Sequence, residues 1–203
     1  AEREARAVLR RALPAVERRG LKLALENHKD QRAGERLALL EEFSSEALGV
    51  CFDVGNTMAL LEDPAEAAEA FAPWTLTVHF KDQGIREVEE GFLLADVPLG
   101  AGCIDLRRIV SILRAKQPRA RFNLELITRD PLKVPCLREG YWATLPDVQA
   151  REFATRWEFL KRRGSPGYFP SVSALLPRDR VQIELRNVEQ SLAYARKRLD
   201  FSG

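Results

Sequence analysis

Cysteine, histidine and long apolar runs are all scarce in this chain of 203 residues. The three cysteines, Cys51, Cys103 and Cys136, are odd in number, far apart and in no CxxC arrangement. That excludes a disulfide framework and predicts reduced thiols in a cytoplasmic protein. Cys51, inside the apolar run GVCFD, reads as a small buried strand residue and not as a redox centre. The longest apolar runs, such as FLLADVPLGAG, fall short of the roughly 18 residues of a membrane span, and no secretory signal is visible. Blocks of one charge are missing too. The 32 Lys and Arg against 30 Asp and Glu are interleaved, for a formal net charge of +2, so composition calls for neither a nucleic acid partner nor a membrane surface.

What is present is an alternation of two periodicities. EREARAVLRRALPAVERRG repeats apolar residues at helical spacing (Ala5, Val8, Leu9, Ala12, Leu13, Val16) and stops at Gly20, with Pro14 expected to kink the helix. Strand-like LKLALENH follows, then a helix around residues 34–43, then strand-like GVCFDVGN. Asp63 and Pro64 read as an N-cap and first helical residue opening DPAEAAEAFA. TLTVHFKD is the next strand. After it comes a long connection, GIREVEEGFLLADVPLGAG, holding a strand-like FLLADV of its own; its apolar pattern argues for order. Asp105 caps a helix whose stripe is Leu106, Ile109, Val110 and Leu113, and ARFNLELITRD is the fourth strand. PLKVPCLREGYWATLP is rich in turn residues. A helix starting near Asp147 is expected to bury Val148, Phe153, Trp157 and Leu160. Beyond a Gly/Pro/Ser linker at Gly164, a last helix carries Leu185, Val188, Leu192 and Leu199 on one face. The pattern divides the chain into a domain over residues 1–163 and a linker with a helical extension over 164–203.

Strand, helix, strand is the rhythm of a parallel sheet. Four side chains, Glu26, Asp53, His79 and Glu125, sit at or near the ends of its four strands. They recur about every 27 residues until the longer last gap, against about 31 per strand and helix unit in a complete barrel of roughly 250 residues. Four strands are half a barrel. Singly, each residue has an ordinary reading as a solvated acid, an ion-pair member or a structural histidine. Four charges at the ends of apolar strands are costly unless something pairs them, and oxygen and nitrogen donors on one rim suit a divalent cation.

The motifs LALENH, FDVGN, TVHFKD, PLGAGCID and NLELITRDP, in that order, resemble the sugar phosphate isomerase/epimerase family of the xylose isomerase-like TIM barrel superfamily, at its strands five to eight. The resemblance covers residues 1 to about 160. It implies an α/β fold, a partial (β/α)8 TIM barrel with strands five to eight and their helices, plus a C-terminal helical extension. It also implies one divalent metal ion, Mn, Mg, Co or Zn, held by Glu26, Asp53, His79 and Glu125. Glu26 and Glu125 inherit the catalytic roles: one removes a proton beside a carbonyl of a sugar, sugar phosphate or polyol, the other returns it through an enediolate. His28, Asn56, Lys81 and Arg129 are candidates for substrate binding. By strand alternation His28 would face the side of Glu26; Lys81 and Asp82 would meet substrate oxyanions or each other; Arg129 would neutralise an anion or stand at an exposed rim. Gly100 and Gly102 read more simply as turn residues.

The chain departs from the family at two points. Many of the epimerases carry Asp, two residues, then His at the sixth strand, whereas here Asn56 stands in that place and cannot carry a proton at neutral pH. That leaves dehydration open beside isomerisation. Strands one to four have no counterpart, so a fragment of a longer protein, a missing N-terminal half-barrel or a homo-oligomer is expected. A noncatalytic barrel module is the alternative function. An apurinic-site endonuclease ranks lower, because such nucleases of the superfamily build multi-zinc sites from several histidines and this chain has His28 and His79 alone.

Overall fold

A computed structural model describes residues 2–143, 145, 148–164, 169 and 171–201. Helix α1 (Glu2–Arg18) runs uninterrupted through Pro14 into strand β1 (Leu23–Glu26). Helix α2 (Ala33–Phe43) and β2 (Leu48–Asp53) follow, then a short 3-10 turn over Asn56–Leu60 and α3 (Pro64–Phe71). The Asp63 carboxylate accepts from the backbone of Ala65 and Glu66, with Pro64 in the first turn, which satisfies donors that the helix itself leaves unpaired. Strand β3 (Thr75–Phe80) leads directly into β4 (Asp82–Val88) and β5 (Gly91–Val97). Asp105 caps α4 (Leu106–Lys116) by accepting from the Arg108 backbone at 3.0 Å. Then come β6 (Arg121–Leu124), β7 (Leu132–Val134), the single turn α5 (Glu139–Trp142), α6 (Ala150–Arg163) and α7 (Pro177–Arg198).

Strands β1, β2, β3 and β6 form a parallel sheet in that order, as a partial (β/α)8 barrel requires. Among the described residues β1 pairs only with β2 and β6 only with β3, so both outer edges of the sheet are unpaired. Its largest apolar cluster includes Val50, Phe52 and Val78 from the strands and Leu9, Leu39, Leu40, Phe71, Ile109 and Leu113 from the helices. The stripe expected on α4 is buried in full.

The long connection after β3 is more regular than its sequence pattern suggests. FLLADV is a strand, and GIREV, which lacks clean alternation, pairs with it antiparallel within the β4 and β5 ladder; turn-rich LKV adds β7 as a third strand. Gly91 joins β4 to β5 at φ +148, where an added Cβ would stand 2.2 Å from the Val134 carbonyl oxygen. A second cluster forms here from Met58, Leu61, Ile85, Phe92, Leu94, Val134 and Leu160, with Trp142, Phe153 and Trp157 packed against it.

Two readings of the C-terminal part change. Asp147 lies outside the described residues, and of the four residues expected to be buried by α6 only Leu160 is fully so. The sequence pattern makes α7 an extension with Leu185, Val188, Leu192 and Leu199 on one face. In the structure Ala195 and Leu199 join the main core, while Leu185 and Leu192 are 52% and 41% exposed. The inward row is Asn187, Ser191, Ala195 and Leu199, spaced by four. Its polar members are satisfied, since the Leu99 N–H donates to Ser191 Oγ at 3.1 Å and Asn187 donates to Thr128 Oγ1. Small side chains let the helix backbone approach the loop that it covers.

Candidate metal centre

Parallel strands emerge on one rim, and there the apolar core gives way to buried polar groups. Asn27, Asp53, Asn56, Lys81, Asp82, Gln83 and Asp96 are all buried. Glu26 and Asp53 are the last residues of β1 and β2, His79 lies opposite Asp53 in the register, and Glu125 immediately follows β6. One donor atom from each of Glu26, Asp53, His79 and Glu125 lies within 4.8 Å of every other. Strand ends that are far apart in sequence thus bring the four expected ligands to one place.

The neighbours of these four decide what the cluster can do. His79 Nδ1 stands 2.6 Å from Glu125 Oε2 and 3.5 Å from Glu26 Oε1. Asp53 Oδ1 accepts from the backbone N–H groups of Gly55 and Asn56, each at 2.9 Å. The Lys81 ammonium, itself buried, lies 2.7 Å from Asp53 Oδ2 and 2.9 Å from Glu125 Oε1. Asp53 Oδ2, His79 Nδ1 and Glu125 Oε2 are buried atoms that meet no partner in hydrogen-bonding geometry, although the Lys81 ammonium stands beside the first and the other two face each other. Three carboxylates crowded at a partly buried rim around one imidazole and one ammonium are costly. A cation held by two or three carboxylates and an imidazole removes that cost, and this donor set suits a divalent ion.

The charges are tuned by burial and by Lys81. Burial pushes the Asp53 carboxyl above its ordinary range, and Lys81 only partly offsets it. Burial pushes Glu125 the same way, but there the Lys81 hydrogen bond and charge, with His79 and Lys29, win and hold it below the ordinary range. Lys81 is desolvated as well, yet Asp53, Glu125 and Asp96 keep it above the usual lysine value. Burial lifts the Cys51 thiol to about 12, which leaves it protonated and inert.

The remaining candidates divide. Asn56 donates to Glu26 Oε1 and to the Asn27 carbonyl, both at 3.2 Å, so it orients Glu26. Lys81 is committed to Asp53 and Glu125 and does not pair with Asp82. Strand β1 ends at Glu26, so alternation does not carry on to His28, which is exposed. Arg129 is half exposed, with Nη2 3.6 Å from Asp96 Oδ2. Asp82 organises the loop instead. Its carboxylate accepts from the backbones of Gln83, Gly100, Gly102 and Ile104, winding PLGAGCI around itself. Gly100 and Gly102 therefore do serve a turn; a Cβ on Gly102 would sit 2.2 Å from Asp82 Oδ1.

Sequence reasoning passes over two residues. Asn27 both donates to the Asp53 carbonyl at 2.9 Å and accepts from the Asp53 N–H at 2.7 Å, mimicking a strand partner where β1 has ended. Its signal is a polar residue next to a ligand at a strand end. Lys29 donates to Asn56 Oδ1, a contact with no sequence signature.

Comparisons with known proteins agree with this architecture. The chain is 34% identical over 116 residues to 3-oxo-isoapionate decarboxylase of Pectobacterium atrosepticum, covering 56% of this chain and 42% of that protein. It is 35% identical over 63 residues to the uncharacterized protein YihM of Escherichia coli, covering 31% of this chain and 19% of that one. Among solved structures it resembles a xylose isomerase domain protein from Planctomyces limnophilus, with TM-score 0.54 and 21% identity over 78% of this chain and 52% of that one. A xylose isomerase-like TIM barrel protein from Mycobacterium smegmatis, solved in complex with magnesium, gives TM-score 0.55 and 18% identity over 78% and 50%. The chain thus spans about half or less of the length of the relatives that it matches. A model of the xylose isomerase-like TIM barrel matches residues 1–152, and the chain belongs to that family.

Proposed function

We propose that this chain carries the catalytic rim of a metal-dependent isomerase or epimerase acting on a sugar, sugar phosphate or polyol-derived carbonyl compound. The observation that carries the reading is the convergence of Glu26, Asp53, His79 and Glu125, one donor atom of each lying within 4.8 Å of every other. These four residues would hold the ion. A bound divalent cation polarises a substrate carbonyl and stabilises negative charge on its oxygen. The chain's own groups then handle the proton. Glu125, kept ionised by Lys81, is suited to remove a proton from the carbon beside the carbonyl. Glu26, oriented by Asn56, is placed to return one from the other strand edge.

The likeness to a decarboxylase of a 3-oxo acid favours a second reading. Loss of carbon dioxide from a 3-oxo acid leaves the same enolate charge, so it needs the polarised carbonyl and one proton return, but no prior proton removal. The two readings separate in deuterium oxide with manganese-loaded protein. An isomerase or epimerase exchanges the hydrogen beside the carbonyl of a ketose, and Glu125→Gln abolishes the exchange. Carbon dioxide release from a 3-oxo aldonic acid without ketose exchange establishes decarboxylation. Neither activity from metal-loaded protein refutes both readings for this chain.

A further inference from the structure

Beside the four ligands stands a group of cations whose partners are incomplete. Lys29, on the loop after β1, donates only to the neutral Asn56 side chain, and among the described residues no carboxylate lies within ion-pair range of it. It is partly buried, and its ammonium is pushed below the usual lysine value by burial and by the charges of Lys81 and Arg129, which outweigh the attraction of Asp53 and Asp96. A half-buried ammonium beside like charges is costly unless an anion joins it. Arg129, from the loop after β6, reaches toward Asp96 at 3.6 Å, longer than a charge-assisted hydrogen bond. Asp96 is itself taken by Gln83, which donates to its other oxygen at 2.6 Å. Much of the Arg129 fork is therefore left for another acceptor.

The count of charges points the same way. Four carboxylates, Glu26, Asp53, Asp96 and Glu125, stand among three fixed cations, Lys29, Lys81 and Arg129. With His79 an uncharged ligand, a divalent cation turns a negative excess of one into a positive excess of one. The loaded centre is balanced by a single further negative charge. Lys29 and Arg129 come from loops at opposite edges of the parallel sheet, so an anion between them would lie over the rim. Lys29 also connects to Glu26 through one amide, since Asn56 accepts from Lys29 and donates to Glu26.

We infer that Lys29 and Arg129 form a subsite for an anionic group, a carboxylate or a phosphate, on the substrate of the metal centre. The inference rests on the reaction proposed above. It narrows the substrate to acidic or phosphorylated sugar derivatives, and it makes the loop after the first strand of the sheet a determinant of specificity.

The test is calorimetric binding to the protein, first of manganese and then, with manganese bound, of three four-carbon probes: erythronate, erythritol phosphate and neutral erythritol. Manganese binds, and one or both anions bind about tenfold or more tightly than erythritol. The tighter of the two anions identifies the group as carboxylate or phosphate. Erythronate can also chelate manganese directly, so the variants are decisive. Lys29→Gln and Arg129→Gln each weaken the preferred anion about tenfold, leave erythritol affinity unchanged, do not weaken manganese, and leave the unfolding temperature of Lys29→Gln no lower than that of the parent. Equal binding of anions and erythritol with manganese bound overturns the subsite and spares the proposed metal chemistry. So does anion affinity that survives both substitutions. Failure of the parent protein to bind manganese overturns the proposed reaction and this subsite with it.

Discussion

The molecule has two apolar clusters that differ in how they were assembled. The larger one lies under the parallel sheet and draws on strands and helices whose apolar residues recur at regular periods. The smaller one is assembled from pieces of separate connections: the turn after β2, the β4 to β5 hairpin, β7 and α6. The first cluster is mostly aliphatic with paired phenylalanines such as Phe52 and Phe71. The second is bordered by a run of ring contacts, Tyr141 to Trp142, Trp142 to Phe153 and Phe153 to Trp157. The buried charged groups gather at the strand ends and at the start of the hairpin. The sheet supplies four fixed strand ends, and the insertions supply the wall around them.

Hollowing each cluster in turn puts this contrast at most risk. Phe52→Ala and Phe92→Ala each remove a fully buried ring and are each expected to cost about 4 kcal/mol. Hydrogen exchange reads the difference. Phe52→Ala should lower protection throughout the molecule, whereas Phe92→Ala should lower it in β4, β5 and β7 and spare β2. Equal loss in β2 would mean that the rim is not a separate layer. The charged layer itself is probed by Lys81→Met, which leaves Asp53 buried without its counter-ion. Breaking such a pair costs about 3 kcal/mol in urea denaturation without metal. Manganese should reduce that loss, because it supplies positive charge to the same carboxylates; an equal loss with and without manganese would argue against a shared site.

Asp82 joins the two regions, at the crossing from β3 into the hairpin. Burial pushes its carboxyl up to about 6, against the pull of the four backbone N–H groups around it. Its folded value is raised above the ordinary 3.8, so the native state holds the proton more tightly. The associated stability is present below about pH 4 and is lost as pH rises to about 6, by no more than about 3 kcal/mol. Asp82→Asn should flatten that slope when midpoints of urea unfolding are compared at the two ends of this window. A slope unchanged by the substitution would assign it to other acids.

How much is legible in the sequence follows the same division. The polar rim can be read because a parallel strand ends in the same place each time, and an acid at the end of an apolar run stands out; Glu26, Asp53, His79 and Glu125 need no tertiary information to be grouped. The rim wall cannot be read in this way. GIREV shows no alternation because its pairing with β5 is set by the hairpin, and three-residue LKV is too short to carry a period. Lys81 is visible as a charge beside a strand, but its choice of Asp53 and Glu125 over the adjacent Asp82 depends on the chain turning from one sheet into the other. Lys29 lies in a loop where spacing carries no direction, so only the folded chain places it beside Asn56.

Helix α7 gives the smallest predicted effect and the clearest case of a misleading pattern. Val181, Leu185 and Leu192 form an apolar row that hydropathy alone would turn inward, yet each is more than 40% exposed. The helix is oriented instead by Asn187 and Ser191, whose hydrogen bonds to Thr128 and Leu99 are met only if that side faces the barrel. Turning the leucines inward would carry Asn187 and Ser191 away and leave the buried Leu99 N–H and the Thr128 hydroxyl without those partners, at a cost that one or two partly buried leucines do not offset. Leu185→Gln should therefore change stability by less than about 0.5 kcal/mol, as an exposed position does. A loss above about 1 kcal/mol in urea denaturation would mean that this face is covered and that apolar patterning, not the polar row, sets the orientation of α7.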